Sequence, residues 1–154
     1  MSPVRRLVPA LALAATALAG CSATVSLPPA PHAQDPRCAE VTAFVPGEVD
    51  GQPRRWTDAQ ATAAWGDPTA VILACGVTPP GPSTLPCQTV AGVDWLIDDA
   101  DAPRYRVTSF GRDPAVQLYL DTTRVSSAEV LQTLSPLVAK LPQDGSCTPR
   151  PGAD

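Results

Sequence analysis

The chain has 154 residues and carries 15 acidic and 11 basic side chains, a formal charge of −4, with a single histidine. An acidic chain without a basic stripe is a poor candidate for binding nucleic acid or an anionic surface. Its one histidine, His32, precedes the globular part of the sequence. Ser–His–Asp and Cys–His catalytic arrangements and histidine-based metal sites are therefore excluded from that part.

The first 20 residues have the pattern of a secretory signal peptide. Arg5 and Arg6 precede an apolar stretch of about a dozen residues, which is shorter than the ~20 residues of a membrane-spanning helix. Small residues then precede Cys21. We interpret Cys21 as a lipid attachment site, whose diacylglyceryl group would hold the protein on the extracytoplasmic face of the cell membrane. The alternative is a secreted protein whose Cys21 is removed or pairs elsewhere.

The remaining chain is expected to have three parts. Residues 21–34 contain the lipidated cysteine and a proline-rich segment typical of a semi-rigid tether, in which His32 is a bystander. Residues 35–148 are expected to form a single α+β domain, and residues 149–154 a disordered tail. Without Arg5 and Arg6, nine basic and 15 acidic residues remain, a charge near −6.

Four cysteines follow the proposed lipid site, namely Cys38, Cys75, Cys87 and Cys147. An even number in an exported chain favours disulfides over metal binding or catalysis, and no C-x-x-C spacing occurs. Four cysteines allow three pairings, and their spacing does not choose among them.

The first half of the domain is predicted to contain two helices and a central strand. Asp35 and Pro36 are typical of a helix start, and the helix is expected to bury Cys38, Val41, Phe44 and Val45. Residues 48–55 are predicted to be a polar connector with a turn at 50–51. The spacing of Thr57 and Gln60 favours a second helix through residue 64. Residues 70–75 are predicted to form the central strand.

The second half is predicted to be an antiparallel meander followed by a helix. Strands are expected at 88–90, 93–97, 104–109 and 116–120, with a hairpin turn at 91–92. Ser126 and Glu129 predict a helix start, and Pro136 is expected to kink or end that helix near Leu134. The expected fold is therefore α+β, an antiparallel sheet of four to five strands with two or three helices packed on one face.

Two groups of side chains are candidates for a site. Arg54 and Arg55 with Trp65 are able to bind an anionic or sugar-like ligand by paired hydrogen bonds and stacking. Core packing of Trp65 and ion pairing of an arginine are the favoured explanation of these residues, but they are the best candidates for a ligand site. Asp98, Asp99 and Asp101 are compatible with calcium, but they lack an EF-hand pattern and favour a solvated turn. We therefore predict no metal site and no cofactor.

No catalytic motif stands out. A Ser–Lys dyad would need Lys140, which lies where a cation favours a helix end. The sequence does not exclude a pair of carboxylates arranged for glycoside hydrolysis. A chain of this size, however, leaves little room for a cleft that binds a polysaccharide. We expect the protein not to be an enzyme.

Five short motifs occur in the order 50–55 (DGQPRR), 64–68 (AWGDP), 75–77 (CGV), 93–95 (VDW) and 110–112 (FGR). As an ordered set they resemble a family of actinobacterial lipoproteins known as domain of unknown function 3515. The resemblance spans most of the mature domain and implies a shared fold and an envelope location, but no activity. It also implies that Cys38 pairs with Cys75, since family members usually keep both, which leaves Cys87 for Cys147.

Two functions remain after these exclusions. The first is a membrane-anchored, non-catalytic interaction module that binds another envelope protein or a cell-wall component. The second is a lipoprotein that binds a small molecule or a sugar. A ligand-binding protein needs a concave pocket, expected here to be lined by Trp and Arg, whereas an interaction module needs an exposed apolar patch.

Overall fold

The computed structural model describes residues 23–148, which form eight strands and two helices. The expected signal peptide, Cys21 and residues 149–154 lie outside the described residues. No helix within residues 23–148 has the length and apolar character needed to cross a membrane. The elements in chain order are α1 (Pro36–Thr42), β1 (Glu48–Val49), β2 (Gln52–Arg55), β3 (Thr62–Trp65), β4 (Val71–Val77), β5 (Cys87–Val90), β6 (Val93–Asp98), β7 (Arg104–Phe110), β8 (Ala115–Asp121) and α2 (Ser127–Val138).

All eight strands belong to one antiparallel sheet in the order β1-β2-β3-β4-β8-β7-β6-β5. The α+β class is confirmed, but the expected number of four to five strands is wrong. The sheet consists of two four-stranded meanders, which meet where β4 pairs with β8. The predicted central strand and the later meander are both present, and the additional strands lie before β4.

The expected polar connector at residues 48–55 is the β1–β2 hairpin. Asp50 and Gly51 form its turn with φ of 45° and 73°, a pair of positive values that suits a two-residue hairpin. The Asp50 carboxylate also accepts a hydrogen bond from the Ser126 amide at 2.7 Å. The turn position was predicted, but the strands were missed because they are two and four residues long and Val49 is their one buried residue.

The helix expected from Thr57 to residue 64 does not form. The Thr62 hydroxyl donates to Thr57 Oγ1 at 2.8 Å, and the Cys75 amide donates to the Ala61 carbonyl at 2.9 Å. Ala61 has φ of 56°, so the backbone there is not helical. All four residues of β3 are buried, which a helix with one buried face would not achieve.

Both helices pack against one face of the sheet and enclose the core with it. Asp35 caps α1 as predicted, accepting from the Arg37 amide at 2.9 Å, and Cys38 and Val41 are buried. Phe44 was expected in the core, but it is 65% exposed because α1 ends at Thr42 and its helical spacing is lost. The central core members from the sheet are Val71, Leu73, Trp95, Val107, Val116, Leu118 and Leu120.

The second helix starts where the sequence predicts. Ser126 accepts from the Glu129 amide at 3.4 Å, and Trp95 Nε1 donates to the buried Ser135 hydroxyl at 2.9 Å. The helix does not end near Leu134 but continues through Pro136 to Val138. Pro136 and the residue four positions before it are both exposed, so water can reach the carbonyl that the proline leaves unpaired.

The described part of the expected tether, residues 23–34, is packed on the folded body and is not a free spacer. Val25 pairs with Thr57, and the His32 amide donates to the Gly76 carbonyl at 2.8 Å. Ala33 is buried. A side chain at Gly76 would collide with the His32 backbone, so this glycine allows the close approach. The prolines therefore give an extended segment that lies along the sheet instead of leading away from it.

Candidate functional site

The structure does not bring Arg54, Arg55 and Trp65 together as an open ligand site. Trp65 is fully buried in β3, and its indole Nε1 donates to the Pro46 carbonyl at 3.0 Å. A ring in this position packs in the core and cannot stack on a ligand. Arg54 lies opposite Trp65 in the β2–β3 register, but its side chain is exposed.

Arg55 holds the N-terminal segment to the turn after β3. Its Nη2 donates to the Ala23 carbonyl at 2.6 Å. Its Nη1 lies 3.3 Å from the Gly66 carbonyl and 3.4 Å from both Asp67 Oδ1 and Thr69 Oγ1. These partners occupy the guanidinium, so Arg55 joins three parts of the chain and has little capacity left for a ligand.

The three carboxylates between β6 and β7 form part of a turn. Asp98 Oδ1 accepts from the Ala100 amide at 3.1 Å, and its Oδ2 lies 3.6 Å from Arg106 Nη1. The main-chain oxygens of Asp99 and Asp101 accept the amides that close the turn. Within residues 23–148, no three carboxylate, histidine or cysteine side chains are grouped closely enough to hold a metal ion.

Two disulfides cross-link the described part, with the pairing that the resemblance implies. Cys38–Cys75 is buried and joins α1 to β4, with the Cα atoms 5.5 Å apart. Cys87–Cys147 joins the last strand of the sheet to the C-terminal segment, with a Cα separation of 6.3 Å. One bond therefore fixes a helix on the central strand, and the other fixes the β5 edge.

A groove of about 610 Å³ lies between α2 and β5, and we call it the edge groove. Its apolar floor consists of Ile97, Tyr105, Val107 and Leu131. None of its lining residues carries a charge, and no Trp or Arg lines it. The sequence did not reveal this site, because it arises where α2 leaves part of the sheet face uncovered. The neutral polar residues around it are Gln88, Thr89, Thr122, Ser127 and Gln132.

A second groove, of about 400 Å³, lies between the proline-rich segment and the sheet face opposite the helices. Residues 27–31 form one wall, and Ile72, Ala74 and Tyr119 lie on the sheet side. The Tyr119 hydroxyl accepts from Arg106 Nε at 2.9 Å, and the Arg106 guanidinium lies 5.1 Å from the Tyr119 ring centre. The Tyr119 side chain is thereby fixed at the rim of this second groove.

Arg112 is a buried cation that the sequence analysis did not single out. Its Nη1 donates to the carbonyls of Ala139 and Leu141 at 3.1 and 2.6 Å, and its Nη2 donates to Gly92 at 2.9 Å. It therefore satisfies carbonyls at the end of α2, where a positive charge is favourable. Arg112 lies in the 110–112 motif, but nothing in the motif indicates that the side chain points inwards.

Asp58 fixes the start of the described chain. Its carboxylate accepts from the Leu27 amide at 2.9 Å. A hydrogen bond from the Ser26 side chain, together with that amide, lowers the pKa of Asp58 below its usual value. The ionised carboxylate of Asp58 thereby holds residues 26–27 beside the end of β2.

The chain was compared with protein families, curated proteins and solved structures. The family described as "Protein of unknown function (DUF3515)" matches residues 3–145. No curated protein and no solved structure matches the chain significantly. The family match covers both the N-terminal stretch and nearly all of the folded domain. The chain therefore belongs to the DUF3515 family of proteins of unknown function.

Proposed function

We propose that this protein is a lipid-anchored, non-catalytic interaction module on the extracytoplasmic face of the cell membrane. The sequence up to Cys21 supports the anchor, with two arginines, a short apolar stretch and small residues before the cysteine. The DUF3515 match begins at residue 3, so this stretch belongs to the sequence that the family shares.

The two disulfides support an exported location. Such bonds persist in oxidising compartments and are rare in the cytosol. They close loops with sequence separations of 37 and 60 residues, so together they constrain most of the described chain. A domain cross-linked in this way suits a surface that must keep its shape outside the cell.

The edge groove is the observation that carries the proposed interaction. Its floor is apolar, and its rim is neutral and polar, as in the core and rim of a protein interface. Beside it, β5 is the last strand of the sheet, and Gln88 and Thr89 are exposed there. An extended, uncharged segment of another envelope protein would fit along this edge, pairing with β5 and placing apolar side chains on the groove floor.

The anchor is tested with Cys21→Ala. Cell fractions and the mass of the mature N-terminus are compared for this variant and the parent chain. The parent is expected in the membrane fraction with a diacylglyceryl group on Cys21, and the variant in the soluble fraction. An unmodified parent N-terminus, or a variant that stays in the membrane, would contradict the anchor.

The interaction is tested with a photo-cross-linking amino acid placed at Gln132 or Thr133. Both positions are exposed on α2, but only Gln132 lines the edge groove. In intact cells we expect a discrete cross-linked product from position 132 and none from 133. The substitution Ala128→Arg, which places a charge in the groove, should abolish the product. Equal products from both positions would argue against the groove.

A second candidate, binding of a neutral sugar, is favoured by the hydrogen-bonding rim of the same groove. Gln88, Ser127 and Gln132 offer donors and acceptors without charge. The hydroxyls of Thr89 and Thr122 donate to Asp94 and to the Pro103 carbonyl, so they offer only acceptors. The volume of about 610 Å³ falls in the range of small-molecule sites. Saturation-transfer NMR with glucose, galactose and N-acetylglucosamine tests this candidate. Signals that disappear with Ala128→Arg would favour sugar binding over a protein partner.

A further inference from the structure

The described chain begins in contact with the folded body, two residues after the proposed lipid site. The Ala23 carbonyl accepts from Arg55 Nη2 at 2.6 Å. Two residues of extended chain span at most about 7 Å. A lipid on Cys21 would start beside this end of the domain.

The residues after Ala23 are held by a ladder of hydrogen bonds. The Val25 amide donates to the Trp56 carbonyl at 2.8 Å, and the Asp58 amide donates to the Val25 carbonyl at 3.3 Å. The Leu27 amide donates to Asp58 Oδ1 at 2.9 Å. The anchored end is thus fixed to the residues that follow β2, and the segment does not separate the lipid from the domain.

The same end carries the most exposed large apolar side chain among the described residues. Trp56 is 73% exposed, whereas Trp65 and Trp95 are completely buried. An indole prefers the boundary between water and lipid, where its apolar ring and its N–H are both accommodated. Exposure of such a ring next to an anchor position suggests that a bilayer covers it.

The charges near Trp56 are compatible with contact between this end of the domain and a bilayer. Arg54 is exposed two residues before it and is able to reach a lipid phosphate. Of the neighbouring carboxylates, Asp67 lies 3.4 Å from Arg55, which offsets its charge, and Asp58 accepts the Leu27 amide. The acidic excess of the whole chain means that Trp56 and the anchor, not general charge attraction, would set the orientation.

The geometry points to a membrane-apposed domain: the end formed by residues 23–25, Arg54 and Trp56 lies against the bilayer, with the Trp56 indole in the headgroup region. This inference rests on the proposed anchor at Cys21. It replaces the picture of a domain lifted away on a spacer. It places β5, which forms one wall of the edge groove, six strand spacings from β2, roughly 25–30 Å along the sheet.

The test uses the lipidated full chain in phosphatidylcholine vesicles, with and without bromine atoms on the acyl chains near the headgroups. Bromine quenches an indole at contact range. We expect several-fold weaker emission from the exposed tryptophan in the brominated vesicles. The Trp56→Phe variant should show no such loss, because its remaining tryptophans are buried.

The matched control is the double variant Trp56→Phe/Leu85→Trp. Leu85 is 39% exposed and lies just before β5, at the opposite edge of the sheet. Its tryptophan should emit equally in both vesicle types. Equal quenching at positions 56 and 85, or no quenching at 56, would overturn the proposed orientation.

Mass spectrometry of the N-terminus and flotation with the vesicles separate the two hypotheses. A diacylglyceryl group on Cys21 together with flotation supports the anchor, and the quenching result then decides the orientation. An unmodified Cys21 and a chain that does not float would overturn both the anchor and the orientation.

Discussion

The guanidinium of Arg112 donates to the main-chain oxygen of Leu141 at 2.6 Å, and no carboxylate pairs with it within residues 23–148. Arg112 is only 6% exposed. Its charge is balanced by carbonyl oxygens from the end of α2 and from the β5–β6 turn. One side chain thereby joins the last helix to the second meander.

We predict that Arg112→Ala lowers the free energy of unfolding by about 3 kcal/mol, because three buried or part-buried carbonyls lose their donor. Arg112→Lys should lower the free energy of unfolding by less, because an ammonium group reaches some of these oxygens but lacks the planar, forked donors of a guanidinium. Urea denaturation measures both values.

Arg54→Ala is the matched control for Arg112. Its side chain is exposed, so the change in unfolding free energy should stay within about 0.5 kcal/mol. Equal losses for the two alanine variants would show that the carbonyl network around Arg112 does not stabilise the domain.

Gly76→Ala is predicted to release the proline-rich segment from the sheet. Gly76 has φ of 95°, and an added Cβ would overlap the backbone of His32 and Ala33. Backbone strain and overpacking are expected to lower the free energy of unfolding by about 2–4 kcal/mol. Hydrogen exchange at the His32 amide, which donates to the Gly76 carbonyl, should accelerate, and proteases should cut within residues 26–34.

Gly81→Ala serves as the control, because an added Cβ there meets no atom within 4 Å. It should leave both exchange and proteolysis unchanged. Unaltered protection of His32 in Gly76→Ala would contradict the close packing of the segment on β4.

The two disulfides are predicted to be reduced in a fixed order. Cys38 and Cys75 are almost fully buried, whereas Cys87 and Cys147 are half-buried. Limited dithiothreitol followed by alkylation should therefore label Cys87 and Cys147 first. The free energy of unfolding of the double variant Cys87→Ser/Cys147→Ser should be lower by about 4 kcal/mol, because the unfolded chain is no longer closed into a loop of 60 residues. Earlier labelling of Cys38 would contradict this order.

The sequence predicts the elements whose pattern is long and regular. β4 was recognised from a continuous apolar run, and β6 from the alternation of its side chains. The β5–β6 turn was only weakly indicated, because Ala91 adopts φ of 45°, which alanine disfavours. The start of α2 at Ser126 was recognised from its capping residues. For β4, β6 and the start of α2, local chemistry and tertiary packing favour the same structure, so the pattern was sufficient.

The sequence fails where tertiary contacts override a local pattern. The capping pattern at Thr57 favours a helix, but pairing with β4 buries all of Thr62–Trp65 in a strand. Trp65 was a candidate for ligand stacking, and only its burial excludes that role. The edge groove depends on how far α2 extends over the sheet, which no residue pattern encodes.

The last prediction concerns the pH dependence contributed by Asp35 at the start of α1. Side-chain hydrogen bonds from Arg37, with further help from its amide, lower the pKa of Asp35 from 3.8 to about 2. A carboxyl with a depressed folded-state pKa stabilises the fold fully above its unfolded-state pKa. That contribution is lost as the pH falls from about 4 to about 2.

Asp35→Asn isolates this contribution, because asparagine still caps a helix but does not ionise. The melting temperature of the parent chain should exceed that of the variant at pH 6, and the difference should shrink steadily between pH 4 and pH 2. Other carboxyls with lowered pKa values, such as Asp121, are present in both proteins and cancel in the comparison. A difference that stays constant down to pH 2 would mean that ionised Asp35 does not stabilise α1 through Arg37.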